Sequence, residues 1–345
     1  MITHNNPQVI LPTTQPNTSL RGIWRTNEPL APYTSWRAGG CAKIYYRPAD
    51  LADLAEFLRG LPADEPILWL GLGSNLLIRD GGFPGVVIHL HKCLAGMKRL
   101  HAENNTYDAS VGEVVAKLLL AAAELEQQKS LTTEFIRIEA GVTCAKIARF
   151  CAKSNLLNGE FFAGIPGTMG GALAMNAGAF GNETWKHVVA VEVIDRMGKI
   201  HILPADSFQV SYRAVTMGVV AQPLSWVGFV AGYLQFPVGD GALAQQQVKE
   251  LLNKRNTTQP IGQLSCGSVF KNPPGTYAAK LVEACGLKGM QIGAAYVSSK
   301  HANFIINAGT ALATDIEALI ELVQARVLEQ HGIKLETEVK ILGVK

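Results

Sequence analysis

Apolar and polar positions alternate along this chain with two periods, and the switches between them outline its elements. "AKIYYRPAD" (42–50) reads as a strand ended by Pro48, which brings no N–H to a ladder. "ADLADLAEFLRGLP" (49–62) then repeats apolar residues at helical spacing, and "PILWLGLGSNLLI" (66–78) runs from an apolar strand through a glycine loop into a second strand. Strand, helix and strand in that order point to an α/β layer. "VVAVEVIDRMGKIHILPAD" (188–206) alternates and reverses at Met197-Gly198, which predicts a hairpin. Further on, Ile316, Leu319, Ile320, Val323 and Val327 make one helical stripe, with Thr314 and Glu317 as the expected capping box and Gly332 as the C-terminal cap. A closing strand follows, with Leu335, Thr337, Val339 and Ile341 on one side and Glu336, Glu338 and Lys340 on the other.

"YDASVGEVVAKLLLAAAE" (107–124) and "IRIEAGVTCAKIARFCAK" (136–153) both pass from a short strand through glycine into an Ala-Lys helix. Their identities are too few for a duplication, and nothing is built on the echo. At 345 residues the chain exceeds one compact core, so two or three domains are expected. Hydrophobic residues make up 48% and charged residues 17%, a composition that folds rather than stays disordered. The Asn/Thr/Pro-rich first 20 residues read as a loose lead-in, with order expected from about Leu30.

Charge narrows the partners. A net charge of +3, with no basic block interleaved with aromatics, argues against nucleic acid, so an acidic ligand must be met locally. Cysteines at 41, 93, 144, 151, 266 and 285 form neither a C-x-x-C pair nor a metal-spaced cluster, and read as reduced thiols. With no signal-peptide pattern and no apolar run near the roughly 18 residues of a span, the expectation is a cytoplasmic protein without a membrane partner.

Three stretches carry candidate chemistry. "GLGSN" (71–75) follows an apolar strand, yet Leu76 stands where a dinucleotide fingerprint needs glycine, and no Gly-Lys-Ser/Thr follows as in a P-loop. What remains is a turn offering backbone N–H groups, a hydroxyl and an amide to an anion. "GIPGTMGGALAMNAGAFG" (164–181) has glycines at 164, 167, 170, 171, 178 and 181, more than turns require given the entropy each loses on folding. Two such loops suggest a flat or phosphorylated ligand of nucleotide size. "SCGSVFKNPPG" (265–275) matches no nucleophile elbow, and none of the eight histidines sits in a partner motif. Its serine is open to two readings, a proton donor beside cationic and amide groups or a helix cap.

Taken in order, "TSWRAGG", "GLGSNLLIRDGGFPGVVI", "EFFAGIPGTMGGALAMNAGAFGNE", "SYR", "KRNTTQP", "CGSVFKNPPG", "AAKLVEACGLKGMQIGAAYVSSKHANFIIN" and "LETEVKILG" closely resemble the UDP-N-acetylenolpyruvoylglucosamine reductase (MurB) family from about Thr34 to Gly343. The resemblance implies an α+β fold: a two-part FAD-binding module of the vanillyl-alcohol-oxidase (PCMH) type plus a smaller α+β substrate domain. Its implied divisions are a loose 1–20, FAD-binding subdomains over 21–90 and 91–245, a substrate domain over 246–332 and a returning strand over 333–345. It also implies a monomeric flavoenzyme of peptidoglycan precursor synthesis, with non-covalent FAD and NADPH as hydride donor. The enolpyruvyl ether of UDP-N-acetylglucosamine would be reduced to UDP-N-acetylmuramate.

Carried over residue by residue, the proton donor falls on Ser268, the active-site arginine on Arg213 and the glutamate on Glu338. Lys271 and Asn272 match substrate-contacting positions, with Tyr212 and His301 as further pocket residues. Gly71, Gly73, Ser74 and Asn75, with Gly164, Ile165, Pro166, Gly167, Thr168, Gly170, Gly171 and Asn176, match the flavin-binding loops. Three features depart from the family pattern. The stretch 101–133 is longer, Val215 stands where a serine or threonine is expected after Arg213, and the region before Ser268 is short, as in the class lacking a tyrosine-bearing substrate loop. Two other functions stay open: another flavin oxidase or dehydrogenase of the same fold, and a non-catalytic nucleotide-sugar binder.

Overall fold

The computed structural model describes residues 19–100, 102–103, 106–107, 113–127, 132–218 and 225–345. The first body runs β1 (Ile23–Pro29), β2 (Cys41–Arg47), α1 (Leu51–Arg59), β3 (Ile67–Leu70), β4 (Leu76–Ile78) and β5 (Phe83–His89). Its sheet has the order β1-β2-β5-β3, antiparallel at β1/β2 and parallel across β2, β5 and β3. Regular structure therefore begins at Ile23, earlier than the Leu30 expected. The Asn/Thr-rich composition concealed a strand whose ladder to β2 extends from Ile23 opposite Arg47 to Pro29 opposite Cys41. Helix α1 starts where the Asp50 carboxylate accepts the Asp53 N–H at 2.9 Å, and it buries Leu54, Phe57 and Leu58.

The second body carries β6 (Met97–Leu100), β7 (Ala102–Glu103), β8 (Thr106–Tyr107), α2 (Glu113–Gln127), β9 (Thr133–Glu139), α3 (Cys144–Lys153), α4 (Met169–Met175), β10 (Gly178–Ala179) and β11 (Asn182–Glu183). It continues through β12 (Val188–Asp195), β13 (Ile200–Pro204), β14 (Phe208–Ser211), β15 (Ala214–Met217), β16 (Trp226–Pro237) and α5 (Gly241–Thr258). An antiparallel sheet of order β13-β12-β16-β9-β6 forms its floor, and the expected hairpin is β12/β13. The long stretch 101–133 supplies α2, whose Val115 and Leu119 pack with Phe135 and Tyr233 on this sheet. A boundary at 245/246 falls inside α5, and Val248 of that helix joins the core of the second body.

The third body has α6 (Ala278–Ala284), the antiparallel strands β17 (Gln291–Ile292), β18 (Ala295–Val297) and β19 (Ile305–Asn307), and α7 (Ala313–His331). Its core takes in Trp36 and Leu77 from the first body. Trp36 Nε1–H donates to the Ile305 carbonyl at 2.8 Å, and the Asn307 amide donates back to the Trp36 carbonyl at 2.8 Å.

Helix α7 begins differently from the expectation. Leu312 is the N-cap, its N–H bonding the Asp315 carboxylate at 3.0 Å. Thr314 lies inside the helix, its hydroxyl 2.6 Å from Asp80, which also accepts the Ala313 and Thr314 N–H groups. Glu317 pairs instead with Arg79, whose Nε and Nη2 reach its carboxylate at 2.9 and 2.8 Å. Gly332 caps the C-terminus with φ 66°, as predicted. The chain then returns to the first body, where β20 (Lys340–Leu342) pairs in parallel with β4. Regular strand is confined to those three residues, though Leu335 and Val339 are buried as the alternation requires.

Candidate active site

The two glycine loops touch. A Cβ on Gly71 would lie 2.4 Å from Thr168 Oγ1, so only glycine admits this approach. Behind the first loop, His89 Nε2–H donates to the Gly71 carbonyl at 3.0 Å, which leaves Nδ1 to accept the Tyr45 hydroxyl at 2.7 Å. Burial pushes His89 down to about 4, so the ring is neutral at pH 7.

Between the loops lies a cavity of about 440 Å³. Gly71, Gly73, Ser74 and Asn75 form part of one wall, with Gly164, Ile165, Pro166, Gly167, Thr168 and Gly171 across from them. Ser268, Arg213 and Glu338, from three separate parts of the chain, line the same cavity.

Arg213 sits in the two-residue turn between β14 and β15 with φ 59°, a left-handed conformation that costs a non-glycine residue about 1–3 kcal/mol. Its Nε is 2.7 Å from Glu338 Oε1, with the side chains only 19% and 14% exposed. The charges are in contact, but this buried Nε–H forms no hydrogen bond. Burial pushes the Glu338 carboxyl above the ordinary carboxylate range, while Arg213 and Lys271 oppose the rise.

The glutamate segment is fixed by its backbone. Glu338 N–H donates to the Val269 carbonyl at 2.8 Å, Lys271 N–H donates to the Glu336 carbonyl at 2.9 Å, and the Asn75 amide donates to the Glu338 carbonyl at 3.1 Å. Asn303 holds the serine segment from the other side. Its carbonyl accepts the Val269 N–H at 2.9 Å, while its side chain accepts the Phe270 N–H at 2.9 Å and donates to the Phe270 carbonyl at 2.8 Å. Ser268 is half-buried, and no described residue hydrogen-bonds its hydroxyl.

The remaining sequence-derived residues lie elsewhere. Gly170 faces a smaller chamber of about 240 Å³ rather than the main cavity. Asn176 is the left-handed cap of α4, and its side chain is spent on Glu183 and the Trp185 N–H. Tyr212 is 51% exposed with Arg213 over its ring. Lys271 pairs with Glu336 at 3.1 Å, Asn272 accepts the Ala278 N–H at 3.1 Å, and His301 packs edge-on against Phe304, all outside the cavity wall.

Arg255 was missed. It lies in the last turn of α5 and lines both the main cavity and a neighbouring chamber of about 710 Å³. Burial lowers its pKa and no carboxylate offsets that cost among the described residues, which marks it as a site for an anionic ligand. The stretch "KRNTTQP" was visible, but helical periodicity says nothing about an unpaired cation. Arg37, Arg47 and Lys92 join Arg255 around the 710 Å³ chamber, with no carboxylate among the described residues of its wall.

These walls fit an anionic flavin dinucleotide. A Cβ on Gly171 would meet nothing within 4 Å, so its absence widens the space between main and smaller chambers. Trp69 lines both, and its buried Nε1–H has no protein partner. Gly71, Gly73 and Ser74, with Arg255, would hold phosphate groups, and Ile165, Pro166 and Gly171 would pack on a flat ring.

The profile for the C-terminal domain of UDP-N-acetylenolpyruvoylglucosamine reductase matches residues 259–342, and that for an FAD binding domain matches residues 118–203. The UDP-N-acetylenolpyruvoylglucosamine reductase of Coxiella burnetii (strain CbuK_Q154) is 52% identical over 334 residues, covering 94% of this chain and 98% of the relative. That of Legionella pneumophila (strain Paris) is 49% identical over 327 residues, covering 94% and 96%. The crystal structure of the reductase (MurB) from Thermus caldophilus shares 28% identity at a TM-score of 0.67, covering 93% of this chain and 99% of that one. With this identity over nearly the full length and this arrangement of glycine loops, serine, arginine and glutamate, the chain belongs to the UDP-N-acetylenolpyruvoylglucosamine reductase family of FAD-dependent oxidoreductases.

Proposed function

We propose that Ser268, Arg213 and Glu338 carry the proton-transfer chemistry of the reaction that family membership gives this chain, the NADPH-dependent reduction of UDP-N-acetylglucosamine enolpyruvate to UDP-N-acetylmuramate. The observation that carries this reading is the meeting of these three residues with both glycine loops in one cavity. FAD, when bound, would supply the hydride, taken from NADPH, that reaches the enolpyruvyl C3. Negative charge then gathers at C2 and spreads into the adjoining carboxylate as an enolate. Arg213 is suited to that charge because a guanidinium does not lose its own. Glu338, whose carboxyl burial pushes upward against the pull of Arg213 and Lys271, donates a hydrogen bond to the same carboxylate when it carries its proton. Ser268 gives its hydroxyl proton to C2, and because no described residue bonds that hydroxyl it can turn to substrate.

The parts before α5 would hold FAD, and the third body would cover the substrate. Lys271, Asn272, Tyr212 and His301 would reach the nucleotide sugar only at the rim. The same reading takes the enzyme as a monomer in the cytoplasm; among the described residues no helix is long and apolar enough to cross a membrane. An anaerobic spectrum tests the function: NADPH should bleach the flavin band and the enolpyruvyl substrate should restore it. A band that bleaches but does not return with this substrate refutes the assignment and favours another flavin dehydrogenase.

A further inference from the structure

The serine segment is anchored on both sides of Ser268. On one side Val269 is held by the Asn303 carbonyl and the Glu338 N–H. On the other, the buried Cys266 thiol lies 3.3 Å from the Leu76 carbonyl and 3.6 Å from the Gly73 carbonyl. Between these anchors come Gly267, with φ 73° and no atom within 4 Å of where a Cβ would stand, and then Ser268 with its unbonded hydroxyl. The Gly73 carbonyl belongs to the glycine loop and the Leu76 carbonyl to the first residue of β4 that follows it, and the loop also reaches the glutamate segment through Asn75. One loop thus touches both acid-bearing segments, through a thiol on one side and an amide on the other.

We infer that Cys266 is a positioning residue for Ser268: its thiol fixes the serine segment against the glycine loop, so that the proton donor and the cofactor site keep one register. This rests on the reading of Ser268 as proton donor. Burial pushes the thiol up to about 12, so it stays an S–H donor and is not a nucleophile. Without that anchor the tie between Ser268 and the glycine loop runs only through Gly267, at φ 73° in the region that glycine adopts without cost. The competing role is plain filling, since Cys266 also packs with Trp36, Leu77 and Phe270.

The test uses the FAD-loaded enzyme as Cys266→Ala, Cys266→Ser and Ser268→Ala, with each half-reaction followed separately. Reduction by NADPH needs no proton from Ser268 and serves as the internal control. Cys266→Ala should bleach with NADPH within about twofold of wild type but reoxidise with enolpyruvyl substrate about tenfold more slowly, the size expected for one lost hydrogen bond. Cys266→Ser, which keeps a donor, should restore most of the rate. In the infrared, wild type should show a hydrogen-bonded S–H band that is missing from Cys266→Ser. The inference falls if Cys266→Ala reoxidises normally, if both half-reactions slow together with a drop in Tm, or if serine fails to rescue. Normal reoxidation by Ser268→Ala would instead overturn the parent reading, whatever the cysteine variants do.

Discussion

Ser268→Ala removes one oxygen from a hydroxyl that no described residue bonds, on a segment whose fold is held by Val269 and Phe270 backbone groups. The folding cost should therefore stay within about 0.5 kcal/mol, the range of substitutions that break no specific interaction. At about 2.1 cal/mol/K per residue, a chain of this length has an unfolding entropy of about 0.7 kcal/mol/K, so Tm should move by less than about 1 °C. The loss appears in the transition state instead. A positioned general acid contributes about 10²–10⁴-fold, which at 1.36 kcal/mol per decade is about 2.7–5.4 kcal/mol. Anaerobic stopped-flow absorbance separates the steps: NADPH bleaching should be near wild type and reoxidation by the enolpyruvyl sugar slower by that factor. A variant that reoxidises at the wild-type rate refutes proton donation by Ser268. Equal slowing of both steps would make the serine a shaper of the cavity and not an acid.

Three other perturbations probe separate parts of the structure. Because burial raises the Glu338 carboxyl, its proton is present below the raised pKa and lost as pH climbs through it, so reoxidation should fall at higher pH in wild type while Glu338→Gln lacks that limb; identical pH profiles would exclude Glu338 as the donor. Arg255→Gln removes a half-buried cation that no described carboxylate pairs and that faces the space for the flavin phosphates, so it should weaken FAD retention about 10- to 100-fold, checked by the flavin Kd of the variant. Arg79→Met leaves Glu317 only the exposed Lys345 at 3.9 Å, and because the arginine is 28% exposed the cost should be nearer about 2 kcal/mol than the 3–5 of a fully buried pair, lowering Tm by about 3 °C. Arg79 holds the Glu317 carboxyl below its ordinary value, so this difference should be full above about pH 4.3 and vanish as pH falls through the lowered pKa, as calorimetry at two pH values would show.

Local pattern revealed much of the scaffold. The hairpin at Met197-Gly198, the stripe of α7 and its Gly332 cap are set by residues within a few positions of one another, and so is the glycine content of both loops. Long-range pairing was not legible. Thr314 and Glu317 have the spacing of a capping box, yet Asp80 and Arg79 of the first body claim them, because a charged partner brought in by folding outweighs a local bond. Asn75 was assigned to the flavin loop; its side chain donates to Glu338 across 263 positions, which no periodicity encodes. Glu336 and Glu338 share one side of the sequence alternation, but only Glu338 is enclosed, because β20 joins β4 just beyond it. Arg255 escaped notice for the same reason: what distinguishes it is the lack of a carboxylate around it in space.

The reciprocal bonds between Trp36 and the strand β19 bear on how the enzyme opens. Trp36 is fully enclosed, and rotating the third body away from the first would expose its ring and break both of its exchanges with Ile305 and Asn307 at once. A wide hinge at that seam is therefore disfavoured throughout the catalytic cycle. NADPH departure and sugar-nucleotide arrival are left to smaller displacements around the exposed Ile261–Gln263 stretch, where a Cβ on Gly262 would meet nothing within 4 Å. Turnover in this enzyme would then be paced by the breathing of a loop rather than by the swing of a domain.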